Sequence, residues 1–136
     1  RSRSLPPSKI IDSKIENSIV ADGSIISSCS LKNSIVGLRS RIHSGSIVEN
    51  SIIMGADYFE TEEQLKNNLK SNKTAIGIGK NCIIKKAILD KNARIGDNVK
   101  IVNAKGVENH EDKDYLIRDG IVIIYKNAAI PSGTTI

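Results

Sequence analysis

Two lysines occupy the same place in a repeating pattern, and they are the side chains best placed to do chemistry. Lys91 lies two residues after Leu89, and Lys126 lies two residues after Ile124. If the intervening chain returns in register, two ammonium groups share one edge and converge on one anion. The charge distribution points the same way. Residues 80–105 hold seven Lys or Arg against two Asp or Glu, whereas residues 106–136 hold three against five. A local basic face attracts phosphate, nucleotide or nucleic acid. Nucleic acid is the poorest fit, because aromatics make up only 3% of the chain and stacking platforms need them.

The other reactive side chains form no legible constellation. There are two histidines, His43 and His110. Metal-dependent solenoid enzymes of the carbonic-anhydrase kind use three His ligands, so two histidines do not suffice. A solenoid acyltransferase needs one catalytic His, and His43, beside a predicted corner, is the candidate. Asp57 in "MGADYFE" is either a catalytic carboxylate or the residue that sets a turn. Cys29 and Cys82 are far apart, with no disulfide or metal-ligand spacing. They read as small buried residues in a reducing compartment. No apolar run is long enough to span a membrane, and no targeting segment is visible, although the chain begins "RSRSLPP" without Met.

The elements that position these groups follow from a period of six. Aliphatics recur at Val20 and Ile26, at Val36, Ile42, Val48 and Met54, at Ile83, Leu89, Ile95, Ile101 and Val107, and at Ile124, Ile130 and Ile136. The entry, Ile10 to Ile15 to Val20, steps by five, as does Ile26 to Leu31 to Val36. Six residues turn an α-helix through about 600°, so no helical face collects them. Turn-formers every few residues exclude long strands. A short strand and a corner every six residues fits, with three sides closing a prism after eighteen. The fourth residue after each aliphatic then points inward near a corner and should be small. Ser24, Ser40, Ser46, Ala87, Ala93 and Val99 meet that need. Gly, Asn and Asp supply the left-handed angles at the corners. The expected fold is all-β, a parallel β-helix of hexapeptide repeats, 1–136 as one domain. Such solenoids resemble the left-handed β-helix family. Spacing alone does not give the hand, which would depart from the usual right-handed crossover.

Two segments interrupt the period. Residues 55–79 contain "TEEQLKNNLK", a short helical insertion with Thr61 as N-cap, Gln64 as capping-box partner, and Leu65 and Leu69 as an apolar stripe able to dock on the solenoid. "GIG" at 77–79 lacks the Lys and Ser/Thr of a phosphate loop. Residues 103–120 form an acidic loop in which "DYLI" offers one short strand.

In order, "LPPSKI", "SIVGLRSRI", "MGADYFET", "IGIGKNCIIKKAILDKNARIGDNVKI" and "RDGIVIIYKNAAIPSGTTI" span the chain. Together they resemble the C-terminal β-helix domain of ADP-glucose pyrophosphorylase, glucose-1-phosphate adenylyltransferase, and look closest to its plant and algal small-subunit type. The resemblance implies the reaction of the whole enzyme: ATP and glucose 1-phosphate give ADP-glucose and pyrophosphate for starch or glycogen synthesis. Mg and ATP are implied for that whole enzyme and no cofactor for this domain. The implied partners are an N-terminal catalytic domain, sister subunits of a tetramer, and the effectors 3-phosphoglycerate and phosphate. Neither nucleic acid nor membrane is implied. The location implied is the plastid stroma, or the cytoplasm of a bacterium. Three positions match the family's anionic effector site: Arg3 before "LPP", Lys91 in "DKNA" and Lys126 in "YKNA". Arg1 stands where relatives often carry a polar residue, and the second interruption is slightly shortened. The reading is a regulatory and assembly domain. The rivals are a stand-alone trimeric acyltransferase using His43 and acyl-CoA, and a scaffold that binds nothing specific.

Overall fold

The computed structural model describes residues 4–136. Five coils wind through three faces. The first coil is β1 (Lys9–Ile11), β2 (Lys14–Glu16) and β3 (Ile19–Val20). The second is β4 (Ile25–Ser27), β5 (Ser30–Lys32) and β6 (Ile35–Val36). The third is β7 (Arg41–Ile42), β8 (Ile47–Glu49) and β9 (Ile52–Ile53), after which the chain leaves to form α1 (Glu62–Lys70). The fourth is β10 (Gly77–Ile78), β11 (Ile83–Lys85) and β12 (Ala87–Leu89). The fifth begins with β13 (Arg94–Ile95) and β14 (Lys100–Ile101). It then detours through a hairpin, β15 (Asn109–Glu111) and β16 (Tyr115–Arg118), before β17 (Ile121–Ile124) closes its third face. Finally, β18 (Ala129–Ile130) opens one more turn.

Each face is a parallel sheet: β1-β4-β7-β10-β13-β18, then β2-β5-β8-β11-β14, then β3-β6-β9-β12-β17. The hairpin extends the third sheet with antiparallel pairing. Where the sequence offers one strand in 103–120, there are therefore two. The detour is anchored by Asn103, whose side chain donates to the carbonyls of Val107 and Gly120 and accepts from the Val107 N–H.

The coils are shorter than eighteen residues. Ile15 pairs with Leu31 and Leu31 with Val48, steps of sixteen and seventeen. The reason is local. In the first four coils the passage from the second face to the third uses one left-handed residue as its whole corner: Asn17, Asn33, Asn50 or Lys86. Such a side has five residues. The aliphatic that enters the core is consequently Ile53 (6% exposed), and Met54 points outward (42%). In the same way Ile84 is buried and Ile83 only partly so. Val107 sits outside the strands, and Val122 and Ile124 fill the third face of that coil. Ile26, Leu31, Val36, Ile42, Val48, Leu89, Ile95 and Ile101 are almost fully enclosed, as the spacing predicts, whereas at the ends of the solenoid Ile10 is 47% exposed and Ile15, Val20 and Ile136 are only partly buried.

The small inward residues hold as well: Ser24, Ser40, Ser46, Ala87, Ala93 and Val99 are buried. Serine does more there than save space. Ser46 Oγ accepts the Cys82 N–H and donates to the Gly79 carbonyl. Ser51 Oγ accepts the Ala87 N–H and donates to the Glu49 carbonyl. A corner breaks the backbone ladder between coils, and the hydroxyl restores the missing partner, which a buried amide requires. Cys29 and Cys82 fill equivalent places as free, buried thiols, with Cys82 Sγ 3.1 Å from the Gly96 carbonyl. Burial raises the pKa of both, which keeps them protonated.

Candidate basic-edge site

The arm of residues 55–79 brings the site together. It departs at Gly55, whose φ of +90° favours glycine and where a Cβ would collide with the Leu38 carbonyl. Its helix carries the expected cap: Thr61 Oγ1 accepts the Gln64 N–H, and Gln64 Oε1 accepts the Thr61 N–H. The expected docking through Leu65 and Leu69 fails at Leu69, while Leu65 lines a small pocket with Arg39, Arg41 and Phe59. Leu69 is 84% exposed and Leu65 is 39% exposed, and the buried residue of α1 is Asn68. The helix is held by a polar anchor. Asn68 Nδ2 donates to Glu60 Oε2 at 2.6 Å, and Arg94 Nη1 reaches the same oxygen at 3.1 Å. Glu60 Oε1 accepts the Ile76 N–H at 2.6 Å. Arg94 also donates to the Thr74 carbonyl at 2.8 Å. Burial pushes the Glu60 carboxyl up, but its three donors and the Arg94 charge hold it below the usual glutamate range. Residues 57–60 form a strap along the solenoid, and within it Phe59 lies beneath both Arg39 and Arg41, each 5.8 Å from its ring centre.

Lys91 and Lys126 meet. Leu89 pairs with Ile124 and Ile95 with Ile130, so the hairpin detour returns the chain in register. The two corners stack, and the Asn127 N–H donates to the Lys91 carbonyl. The point on which the lysines converge is occupied by the arm's own Asp57. Its carboxylate lies 3.3 Å from Lys91 Nζ and 4.0 Å from Lys126 Nζ. Sequence reasoning left Asp57 as a turn-setter or catalytic carboxylate, and the geometry gives it this third place. Arg3 lies outside the described residues.

The residue that sequence reasoning missed is Asn92. It is a corner residue with φ +62°, almost fully buried. Its Oδ1 accepts the Asp57 N–H at 2.9 Å. Its Nδ2 donates to Asp57 Oδ2 and to Asn127 Oδ1, both at 3.1 Å. Asn92 thus clasps Asp57 by backbone and side chain together. An Asn at a tight corner also serves as a turn-former, so nothing in the string "DKNA" distinguishes this second task. The Asn92 amide first, then the Lys91 ammonium, hold the Asp57 carboxyl below the usual aspartate range. It is therefore ionised at neutral pH, and both lysines keep exposed flanks. Chemically, the edge presents two half-exposed ammonium groups around one carboxylate, above stacked corners.

His43 stands elsewhere, on a groove of about 490 Å³ between α1 and the first face. Burial of part of the ring and the Arg41 charge push its pKa down. Asp97 acts on it only through space, so no carboxylate orients the imidazole as a general base would need. Gly77 and Gly79 donate their N–H groups to the carbonyls of Ala93 and Ile95. That segment is part of a sheet and its amides are not free to cradle a phosphate. Among the described residues, no three His, Cys, Asp or Glu side chains cluster as metal ligands, and no helix is long and apolar enough to cross a membrane.

A three-faced parallel β-helix with a paired-lysine edge and a polar-anchored arm defines the class. The chain belongs to the GLGC left-handed parallel β-helix domain family, whose profile matches residues 3–135. That membership supplies the left hand. The chain is 48% identical over 136 residues to the chloroplastic/amyloplastic small subunit of glucose-1-phosphate adenylyltransferase from Triticum aestivum, across 98% of this chain and 29% of that protein.

Proposed function

We propose that this chain is the regulatory and assembly domain of an ADP-glucose-forming adenylyltransferase, one β-helix domain over 1–136, and that Lys91 and Lys126 bind its anionic effectors. The observation that carries the reading is their convergence on a single carboxylate. A pair of cations that already holds one anion has the spacing to hold another. The similarity to a plastid small subunit supports a plastid location and the reaction of ATP with glucose 1-phosphate. Arg3 belongs to the same proposed effector site. The effectors fitting it are small phosphorylated acids, such as 3-phosphoglycerate, and phosphate itself.

The partners proposed are a catalytic domain and sister subunits of a tetramer. A stripe of outward isoleucines on the third face favours such contacts: Ile19, Ile35 and Ile52 lie in register and stay exposed. Expressed with the catalytic domain it is proposed to serve, Lys91→Ala or Lys126→Ala should raise the half-activating effector concentration about tenfold, the worth of one hydrogen bond to a charged group. Maximal rate should be spared. An unchanged effector response in both variants would sink the assignment.

A further inference from the structure

Resting on the reading of Lys91 and Lys126 as an anion site, we infer that Asp57 is a tethered competitor that makes the site select multiply charged anions over singly charged ones. The site is already satisfied once. Asp57 presents one carboxylate to Lys91 and Lys126, and Asn92 holds it there through both its side chain and its backbone. The tether gives this carboxylate a local concentration that a short link sets in the millimolar range. A singly charged carboxylate or halide from solution offers the lysines nothing that Asp57 does not already provide. It must also displace a group that pays no translational cost. A phosphate or phosphate ester brings two charges and more acceptor oxygens, so only such a ligand gains by the exchange.

The exchange also has a mechanical consequence. Asp57 lies on the strap that runs through Phe59, clamped under Arg39 and Arg41, to the buried Glu60. Displacing the Asp57 side chain loosens the start of the strap while its Glu60 end stays fixed. Effector binding is thereby reported at the root of the arm, at residues 55–58.

The test titrates the chain with inorganic phosphate at pH 8 and, separately, with acetate, following amide shifts of Lys91, Asn92 and Lys126 by NMR. Asp57→Asn keeps an acceptor for the Asn92 amide and removes the charge. Asp57→Ser, a smaller neutral side chain, controls for an effect peculiar to Asn. The expected result is that the natural chain binds phosphate and ignores acetate, that both neutral variants bind phosphate about tenfold more tightly and now bind acetate, and that adding Lys91→Ala and Lys126→Ala abolishes all of it. Tenfold is the scale of one charge-assisted contact regained. If the natural chain binds phosphate through both lysines but the Asp57 variants bind it no more tightly, the competitor role is overturned and the effector reading stands. If neither the natural chain nor the variants bind phosphate, the effector reading falls and the competitor role with it.

Discussion

Asp57 and Glu60 are carboxylates three residues apart on one strap, and each meets a basic side chain of the solenoid. The two contacts differ in burial. Glu60 and Arg94 side chains are 7% and 13% exposed, whereas Asp57 and Lys91 are 42% and 46% exposed. A buried pair is costly to break, because the surviving charge has no water to turn to. An exposed pair contributes little to stability and exchanges readily. One strap thus carries a fixed end and an exchangeable end. The difference lies in how many donors surround the carboxylate and how much water reaches it. A fixed anchor and an exchangeable ion pair are built from the same chemistry three residues apart.

The comparison breaks most sharply at Arg94. Arg94→Ala leaves Glu60 ionised, buried and short of its cation, and should destabilise the chain by about 3 kcal/mol. Lys91→Ala should leave the denaturation midpoint unchanged, and chemical denaturation of the two variants decides between them. If the two variants shift the midpoint equally, burial does not separate these pairs. Acid titration probes the same anchor. Glu60 is held below the usual glutamate range in the folded chain, so the unfolded chain takes up its proton at higher pH. Its contribution is complete above that range and is lost as pH falls below it. Hydrogen exchange should show the Ile76 N–H, which bonds to Glu60, losing protection as pH falls, before the core amides do. In Glu60→Gln that pH dependence should vanish.

Much of this was legible in the sequence, and the limits are instructive. The aliphatic period specified the solenoid, and the match of Lys91 with Lys126 survived the detour of residues 103–120, which returns the chain in register. What misled was the length of a side. A five-residue side with one left-handed corner and a six-residue side with a two-residue turn both place an aliphatic near the core. At "SIIMG" and "CIIKK" two adjacent aliphatics compete for that place, and only the corner residue, Asn50 or Lys86, decides between them. The site was half legible. Lysines show as charges in a pattern, but the clasp between Asn92 and Asp57 joins residues 35 apart through a corner that looks like any other. The anchor was not legible at all, because a lone Glu before a capping box reads as a solvated residue.

The smallest predicted effect separates the two accounts of the helix. Asn68→Ala removes a donor from Glu60 and should cost about 1–2 kcal/mol, since a buried acceptor loses a charge-assisted partner. Leu69→Ser should change stability by less than about 0.5 kcal/mol, because its side chain already faces water. Amphipathic reasoning gives the opposite order, with the leucine essential and the asparagine dispensable. Nine residues are too few for a helix to persist in water on propensity alone, so something must hold α1. If Leu69→Ser proves the more damaging of the two, the helix docks through its apolar stripe and the polar anchor is secondary. The strap would then have no fixed end, and releasing Asp57 would free the whole arm rather than its root.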